Sequence, residues 1–472
     1  MGEVQLLKDK NYAPKNLGDV CVLGLGKTGN VVASYMCELL GKRVKSVHVY
    51  AGEKKEFAMR AADRLLKCGA TVSFDDKELK HKFDLCVTSP GISENDPLIK
   101  TAKKNCNEVI SEVEFAWRES DAQDTWVAVS GTNGKTTTTS LITHILQSSG
   151  KHAESIGNIG NVALDCVASN LRKSKYEHTD IYVCEVSSYH LALCDKFAPD
   201  ISVLLNITPD HLDWHGSFEN YTKAKLDIFK NAKIGVINTD DKVISENINK
   251  IEKFDLEELI KNTHDDENII VEYKNQTHNI IPISNLKIIG EHNCVNSRAA
   301  ASACVVLGLE DSQIAEGLAS FTSLEHRLEN CGIVAGVRLF NDSKATNVDS
   351  VLVAMDSFER GKAIFLLGGR DKNTNLDELI SKAKDKLKGV VCYGEAKERF
   401  VKEFKSKIKD ENFLIETAEN MGGAFKIAME KAFPGDFVVL SPACASFDEF
   451  ESFEERGKVF KSLVEKCKEN VG

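Results

Sequence analysis

The residues best suited to chemistry in this sequence lie between Gly131 and Thr137. Gly131-Thr132-Asn133-Gly134-Lys135-Thr136-Thr137 combines two glycines, a lysine and three threonine hydroxyls. Glycines allow a tight bend in which backbone N–H groups point inward, and a helix start adds positive charge, so the pattern indicates a cradle for phosphate oxygens. Lys135 can contact the outer phosphates, and the Thr136 hydroxyl can bind Mg²⁺. The segment predicts a nucleoside triphosphate site.

Two elements must position this phosphate loop. The apolar run from Trp126 to Val129 predicts a buried strand before it, and residues 139–146 predict a helix after it. Strand, loop and helix are the setting that the motif requires. Val129 stands where the general pattern G-x-x-x-x-G-K-[ST] has its first glycine, so the loop is a variant. The alternative is a glycine-rich turn followed by a helix with an exposed lysine.

Other polar residues follow predicted strands. Glu185 follows the run 180–184, and His211 comes shortly after the run 201–205. These runs lack period-two alternation, which indicates strands buried on both faces of a parallel sheet, with their carboxyl ends along one crevice. A carboxylate there can hold Mg²⁺ directly or through water, although a solvated strand-end carboxylate is the alternative. Asn158 lies in a predicted turn, Gly157 to Gly160.

Two motifs leave alternatives open. His211 and His215 at i and i+4 suggest zinc, but Leu212 replaces the glutamate that a metalloprotease needs, and a structural His211 is a further alternative. The helix predicted over residues 221–229 carries Lys225, which its amphipathic pattern alone places in solvent.

The N-terminal stretch contains G-x-G-x-x-G, residues 24–29, between a predicted strand and a predicted helix over residues 31–40. This setting favours a nucleotide or dinucleotide fold. The next strand ends at Tyr50 without the acid that usually holds the ribose of NAD, which weakens the NAD interpretation. A structural turn or another nucleotide-like ligand remains. Thr88-Ser89-Pro90-Gly91 follows a third strand and is a second candidate contact.

The last third of the chain also alternates strands with polar turns. Strands are predicted at 337–340, 363–367, 390–393 and 437–440, each followed by small or charged residues. Before them, Asn293 and Asn296 lie one turn apart on an alanine-rich helix and could contact an adenine edge or cap the helix.

Composition limits the classes of function. The 472 residues suggest about three domains, and a net charge of −11 without a basic block argues against nucleic-acid binding. The sequence has no apolar run of about 18 residues, and its start is polar. Neither a membrane span nor a signal peptide is therefore expected. Fourteen cysteines without a C-x-x-C pair predict reduced core thiols in the cytoplasm rather than a thiolate zinc site.

Together these motifs resemble the Mur ligases, the ATP-dependent amino-acid-adding enzymes of bacterial peptidoglycan synthesis, over essentially the whole chain. The shared segments are GTNGKTT (131–137), the Glu185 strand end, N-x-x-x-D-H (206–211), the Lys225 helix, HNxxN (292–296) and HR (326–327). NDSKATN (341–347), LLGGRDK (366–372) and SPACASFDEFESFEERG (441–457) are similar to the D-glutamate-adding branch. Folylpolyglutamate synthetases share several of the first group.

The resemblance implies an α/β fold of three domains. These are a Rossmann-like domain for the UDP substrate (1–112), a central P-loop ATPase-like domain with a mostly parallel sheet (113–323), and a Rossmann-like amino-acid-binding domain (324–472). It also implies that ATP phosphorylates the alanine carboxylate of UDP-N-acetylmuramoyl-L-alanine, and that the amine of D-glutamate attacks the acyl phosphate. Two Mg²⁺ ions, a carbamate on Lys225 and a cytoplasmic monomer are implied as well.

The resemblance implies these residue roles. ATP is bound by Gly131, Thr132, Asn133, Gly134, Lys135, Thr136, Thr137, Asn293, Asn296, Arg327 and Asp342. The metal is bound by Thr136, Glu185, His211 and Lys225, and the catalytic residues are Lys135, His211, Lys225 and Asn158. The UDP substrate contacts Gly26, Lys27, Thr28, Ser89, Pro90 and Gly91. D-glutamate contacts Lys344, Thr346, Lys372, Ser446 and Phe453, with an exposed strand-end lysine as the alternative for Lys372.

Three other functions compete with this interpretation. They are a folylpolyglutamate synthetase, which is not expected to need a G-x-G-x-x-G domain before its phosphate loop, an NAD-dependent oxidoreductase, and a nucleotide-binding regulator without turnover.

Overall fold

The computed structural model describes residues 14–93, 95–174, 177–263, 265–288 and 290–471. These residues form two compact units. The first contains residues up to 285 together with 294–320, and the second contains residues 286–293 and those from 321 onward. The boundary therefore falls inside one helix, between Asn293 and Cys294.

The first sheet lies at the N-terminal end of the first unit. Its strands are β1 (Gly18–Leu23), β2 (Val44–Tyr50), β3 (Thr71–Ser73), β4 (Phe83–Thr88) and β5 (Cys106–Ser111), and its helices are α1 (Lys27–Glu38), α2 (Glu56–Lys67) and α3 (Pro97–Asn105). All strands pair in parallel in the order β3-β2-β1-β4-β5. The strand order reverses between β1 and β4, and open α/β sheets bind ligands at such a point.

The second sheet completes the first unit. Its strands are β6 (Thr125–Ser130), β7 (Ala153–Gly157), β8 (Ile181–Glu185), β9 (Ile201–Leu204), β10 (Ile234–Asn238) and β11 (Glu258–Asn262). Its helices are α4 (Glu112–Glu119), α5 (Lys135–Ser148), α6 (Ala163–Asn170), α7 (Ser188–Leu191), α8 (Leu212–His215), α9 (Phe218–Leu226), α10 (Lys242–Glu246) and α11 (Ile248–Ile251). The order is β11-β10-β9-β6-β8-β7, again all parallel. The carboxyl ends of β6, β8 and β9 therefore meet at one edge.

A hairpin and two helices follow this sheet. The hairpin consists of β12 (Asn268–Tyr273) and β13 (Gln276–Pro282), and the helices are α12 (Glu291–Val306) and α13 (Asp311–Ser320). Lys274 and Asn275 join the strands with φ values of 48° and 59°, as a two-residue hairpin turn with positive φ at both positions requires. The two strands pair antiparallel across this turn.

The third sheet forms the second unit. Its strands are β14 (Glu329–Val334), β15 (Val337–Asn341), β16 (Ala363–Gly368), β17 (Gly389–Tyr393), β18 (Leu414–Thr417) and β19 (Phe437–Ala443). Its helices are α14 (Val348–Met355), α15 (Asp377–Lys386), α16 (Lys397–Lys407), α17 (Met421–Lys431) and α18 (Phe453–Val471). The order is β14-β15-β19-β16-β17-β18, and β14 alone pairs antiparallel.

Burial explains why the central strands lack alternation. Every residue of β16 is buried, as are all residues of β6 except Thr125. Helix α4 contributes Phe115 to a hydrophobic cluster that also contains Val20 of β1 and Ala128 of β6, so one core joins the first two sheets. The predicted α/β class is confirmed. The domain boundaries at 112/113 and 323/324 stay predictions, because contacts divide the chain into two units.

Within the described part of the chain, no helix combines the length and the apolar character needed to cross a membrane.

Candidate active site

The phosphate loop leaves the central strand β6 and enters α5. Gly131 has φ 156°, and Gly134, which caps α5, is left-handed with φ 83°. A Cβ atom on Gly134 would lie 2.3 Å from Asn296 Oδ1, so both backbone conformation and space call for glycine there. Lys135, Thr136 and Thr137 follow in the first turn of α5, at its positive end.

One peptide group of this loop is held from both sides. The carbonyl oxygen of Gly131 accepts hydrogen bonds from Lys135 Nζ and Lys225 Nζ, each at 2.8 Å. The next N–H, of Thr132, donates to the carbonyl oxygen of Asn206 at 3.0 Å. Two lysine side chains far apart in sequence therefore converge on a single oxygen, and the strand end after β9 fixes the other face of the peptide.

Asn206 also holds Asn133 in both directions. Its Oδ1 accepts from the Asn133 N–H at 2.8 Å, and its Nδ2 donates to the Asn133 carbonyl at 3.1 Å. Thr132 Oγ1 lies 2.9 Å from the Tyr221 hydroxyl and accepts from the Thr208 N–H at 2.9 Å. The loop is thus shaped by neighbouring elements.

Lys225 is buried, with 2% of its surface exposed. The prediction from the amphipathic pattern of α9 that this side chain lies in solvent was therefore wrong. Its Nζ lies 4.9 Å from the centre of the Tyr221 ring, one helical turn earlier. Burial holds the pKa of Lys225 well below its usual range, and the nearby charge of Lys135 lowers it further. Both effects favour the neutral amine more than at an exposed lysine.

Glu185 lies at the carboxyl end of β8 and is 2% exposed, which excludes a solvated carboxylate. Its Oε1 accepts from Asn158 Nδ2 at 2.8 Å. Its Oε2 is buried and has no hydrogen-bond partner among the described residues. A buried carboxylate oxygen without a donor is costly, and a cation would satisfy it.

His211 stands at the start of α8 with φ 52°, and its side chain is 46% exposed. Its ring packs 4.9 Å from the Tyr189 ring. Partial burial lowers the pKa of His211, and the charges of Lys135 and Lys225 add to this effect against the opposing charge of Asp210. Lys135, Lys225 and Asp210 therefore lie close enough to His211 for their charges to act on it.

His215 has a different environment. It is buried, and its Nε2 lies 3.0 Å from Ser188 Oγ. The histidine pair forms no recognised metal-ligand group with His, Cys, Asp or Glu in the described ranges. The zinc interpretation gains no support.

The candidate UDP contacts flank the strand-order reversal of the first sheet. The Ser89 N–H donates to the Leu23 carbonyl at 3.0 Å and so joins the loops after β4 and β1. Ser89 Oγ is buried without a hydrogen-bond partner among the described residues. Gly26 caps α1, and Lys27, in its first turn, donates to the Gly160 carbonyl in the turn that carries Asn158. Thr28 follows in α1, and Pro90 and Gly91 follow Ser89.

In the second unit, Asp342 follows β15 and is buried. Its Oδ2 accepts from Ser441 Oγ at 2.7 Å, and its Oδ1 accepts from the Leu328 N–H at 3.2 Å. Burial raises the pKa of Asp342 to about 7, and the charge of Arg327 opposes part of this rise. Two of the predicted ATP residues, Asp342 and Arg327, are therefore neighbours here. Asn293 belongs to this unit, whereas Asn296 belongs to the first.

Four of the five predicted D-glutamate residues form two contacting pairs. Lys344 Nζ lies 4.0 Å from the centre of the Phe453 ring, and Lys372 Nζ donates to the Thr346 carbonyl at 3.0 Å. Ser446 is 2% exposed and follows the end of β19. The ammonium groups of Lys344 and Lys372, with the Phe453 ring beside Lys344, could bind a small dicarboxylate.

Arg456 holds these loops together from inside. It is fully buried, its Nε donates to Ser343 Oγ at 2.9 Å, and its two terminal nitrogens donate to the carbonyls of Cys444 and Ser343 at 3.1 and 2.8 Å. Ser343 Oγ in turn donates to the Phe453 carbonyl at 2.8 Å. The guanidinium therefore links the loop after β15, the loop after β19 and the start of α18.

Sequence reasoning assigned no role to Tyr221, Asn206 or Arg456. Tyr221 precedes Lys225 by four residues, a spacing that puts both on one helix face and could have indicated their contact. Asn206 was named as the first residue of the N-x-x-x-D-H segment, without a role of its own. Arg456 lies in an acidic run, and nothing local indicates that it is buried.

A parallel sheet whose central strand passes through a glycine loop into a helix, ringed by lysines and a buried carboxylate, defines a phosphate-binding α/β protein. Residues 129–304 match the Mur ligase middle domain, and residues 326–444 match the Mur ligase glutamate ligase domain. The chain belongs to the Mur ligase family.

Curated relatives match nearly the whole chain. A protein of Koribacter versatilis named UDP-N-acetylmuramoylalanine--D-glutamate ligase is 36% identical over 464 residues, which cover 95% of this chain and 98% of the relative. A protein of Alkaliphilus oremlandii with the same name is 35% identical over 97% of this chain and 98% of its own length.

Solved structures share the fold. UDP-N-acetylmuramate-alanine ligase of Thermotoga maritima aligns with a TM-score of 0.56 and 16% identity over 95% of this chain and all of that chain. MurF ligase of Thermotoga maritima, solved with ADP, gives a TM-score of 0.58 and 17% identity over 89% of this chain and 96% of that one.

Proposed function

We propose that this chain is the ATP-dependent ligase that joins D-glutamate to UDP-N-acetylmuramoyl-L-alanine in peptidoglycan synthesis. The convergence of Lys135 and Lys225 on the Gly131 carbonyl, beside the phosphate-binding turn, carries the ATP-dependent part of this proposal. The names of relatives that align with 98% of their length support the two substrates.

In the first step the triphosphate lies in the loop. Backbone N–H groups of residues 131–137 and the start of α5 receive the phosphate oxygens, and Lys135 moves from its loop carbonyls to the negative charge that develops on the transferred phosphoryl group. The carboxylate of the alanine attacks the γ-phosphorus. The bond to the β-phosphate breaks, which leaves an acyl phosphate and ADP.

In the second step the amine of D-glutamate attacks the acyl carbon. The amine loses a proton, the tetrahedral intermediate expels phosphate, and an amide remains. Lys344 and Lys372 are suited to attract the carboxylates of D-glutamate, and the Phe453 ring limits the space beside Lys344. Asn158, through Glu185, and His211 are proposed to lie near the reacting carboxylate.

The residues around the loop fit Mg²⁺. The unpartnered Oε2 of Glu185, the Thr136 hydroxyl and His211 offer oxygen and nitrogen ligands. Bound Mg²⁺ would supply charge neutralisation for the phosphoryl oxygens. The lowered pKa of Lys225 supports a neutral amine that adds to CO₂, with release of one proton, to give a carbamate anion beside the cation site. Two ions, the carbamate, a monomeric state and a cytoplasmic location remain part of the proposal.

A phosphate-release assay tests the activity. With ATP, Mg²⁺ and UDP-N-acetylmuramoyl-L-alanine, phosphate should appear only when D-glutamate is added. Lys135→Ala should abolish release without unfolding the chain, and Lys151→Ala, on an exposed residue just beyond α5, is the matched control. Release with another amino acid only, or release by Lys135→Ala at the parental rate, would reject the proposal.

A further inference from the structure

Three cysteines meet in the first sheet. Cys21 of β1 and Cys86 of β4 are register partners on adjacent strands, and Cys106 begins β5, the next strand. Their three Sγ atoms all lie within 4.8 Å of one another, and Cys21 Sγ lies 3.8 Å from Cys106 Sγ. Cys86 follows Cys21 by 65 positions and Cys106 follows Cys86 by 20, so no C-x-x-C spacing in the sequence indicates the cluster.

We propose that Cys21, Cys86 and Cys106 bind one divalent thiophilic cation of the Zn²⁺ type. Zinc bonds thiolate sulfur at ~2.3 Å in a tetrahedron, which puts two sulfurs of one site about 3.8 Å apart. The Cys21–Cys106 separation of 3.8 Å already has this value. The other separations, up to 4.8 Å, require small side-chain shifts only.

The surroundings favour a divalent over a monovalent ion. The cysteines adjoin apolar side chains, among them Phe83, Leu98 and Ile99. A net charge is expensive in such a place. Three thiolates with a divalent ion carry one negative charge, and they carry two with a monovalent ion such as Cu⁺. Cys21 and Cys86 are fully buried, whereas Cys106 is partly exposed, so a fourth ligand such as water and the entry path belong on the Cys106 side.

The second group of metal-ligand type in the described ranges is weaker. It consists of Glu325, His326 and Glu329, and both carboxylates already pair with Lys461, at 2.9 and 2.7 Å. Among the described residues, the hydrogen bond of Cys21 Sγ is to Cys106 Sγ and not to a cationic side chain.

The position of the site gives it a consequence for the candidate UDP loops. Cys21 precedes Gly24 by three residues, and Cys86 precedes Ser89 by three. A cation bound to both cysteines would hold β1 and β4 together near their carboxyl ends. These are the two strands whose ends carry the candidate UDP loops. Binding to the folded chain alone would also raise its stability.

Cadmium serves as the spectroscopic probe, because thiolate–cadmium charge transfer absorbs in the ultraviolet. The full chain is reduced, freed of metal and titrated with Cd²⁺. We expect one equivalent of Cd²⁺ to produce the band, and the band to be weaker when the chain is first loaded with an excess of Zn²⁺. Cys106→Ser, at the edge of the cluster, removes a direct ligand and should weaken Cd²⁺ binding by more than the about 10- to 100-fold that loss of an outer-shell partner causes. It should also cancel the rise in melting temperature that Zn²⁺ causes in the parent.

Cys68→Ser is the matched control, because Cys68 is an exposed cysteine of the same sheet region. It should keep the band, the stoichiometry and the thermal shift. Circular dichroism of each variant reports whether it folds. No band at one equivalent, a band of parental strength and affinity in Cys106→Ser, or a band lost in Cys68→Ser would overturn the proposal. None of these outcomes depends on ligase activity.

Discussion

Replacing Glu185 by glutamine separates the chemistry of the candidate active site from its stability. Glutamine has nearly the same shape, and its amide oxygen can keep the 2.8 Å hydrogen bond from Asn158. The change converts the buried, unpartnered Oε2 into an NH₂ group. The oxygen proposed as a cation ligand is thereby replaced by a hydrogen-bond donor that repels cations.

The two effects have different sizes. Glu185→Gln exchanges one unpartnered buried atom for another and removes a buried charge, so the free energy of unfolding should change by no more than ~1 kcal/mol. Turnover should fall by at least ~100-fold, the usual effect of losing one preorganised electrostatic group, which corresponds to about 2.7 kcal/mol in the barrier. The concentration of Mg²⁺ needed for half-maximal activity should rise.

Phosphate release measured across a Mg²⁺ series, with urea unfolding of the same samples, provides the assay. Glu112→Gln is the matched control, because Glu112 is an equally buried carboxylate of the first unit whose Oε1 accepts from the Leu164 N–H. It should keep the Mg²⁺ dependence and turnover of the parent. If Glu185→Gln has parental turnover and an unchanged Mg²⁺ requirement, Glu185 does not bind the metal and the reasoning fails.

Three further perturbations are informative. Lys225→Ala should lose most of its turnover in the phosphate-release assay and regain part of it when a short carboxylic acid is added. Lys223→Ala, on an exposed residue of α9, is the control and should stay active. Full activity of Lys225→Ala would show that Lys225 is not part of the site. Burial raises the pKa of Glu112 from 4.5 to about 7. The stabilising contribution of this carboxyl group is therefore complete below pH 4.5 and is lost as the pH rises through 7. Urea unfolding should show Glu112→Gln more stable than the parent by up to about 3 kcal/mol at pH 8, with no gain at pH 4. A gain of equal size at both pH values would contradict this. Lysine in place of Arg456 cannot reach the three acceptors at once, so Arg456→Lys should raise the KM for D-glutamate and leave the KM for ATP unchanged. Lys458→Ala is its exposed control. Equal changes in both KM values would show that Arg456 does not act through the D-glutamate loops, and a fall in kcat alone would indicate unfolding.

Local signals made the phosphate loop predictable. The apolar run before residue 131 and the glycines within the loop act on neighbouring residues only, and β6 and α5 lie where expected. The predicted helix over 139–146 begins earlier, at Lys135, because Gly134 caps it in a left-handed conformation that residue type alone did not fix. Similarly, α1 begins at Lys27 instead of residue 31.

Contacts between distant segments were beyond local signals. Lys225 lies on a helix whose own pattern indicates solvent, but the structure buries it, with a hydrogen bond to the phosphate loop, which is distant in sequence. Strand β14 was missed because its sequence, Glu-Asn-Cys-Gly-Ile-Val, has no apolar run, and pairing with β15 makes it a strand. The three converging cysteines share no spacing signal for the same reason.

The peptide between Gly131 and Thr132 is held by the Nζ atoms of Lys135 and Lys225 and by the Asn206 carbonyl, all from the chain itself. Asn206 holds the neighbouring residues Thr132 and Asn133 without help from the lysines, so a molecule that mimics a triphosphate would encounter a turn that is already shaped even after Lys135 moves, and would lose little affinity to ordering it. Inhibitor design can accordingly treat this turn as a rigid template.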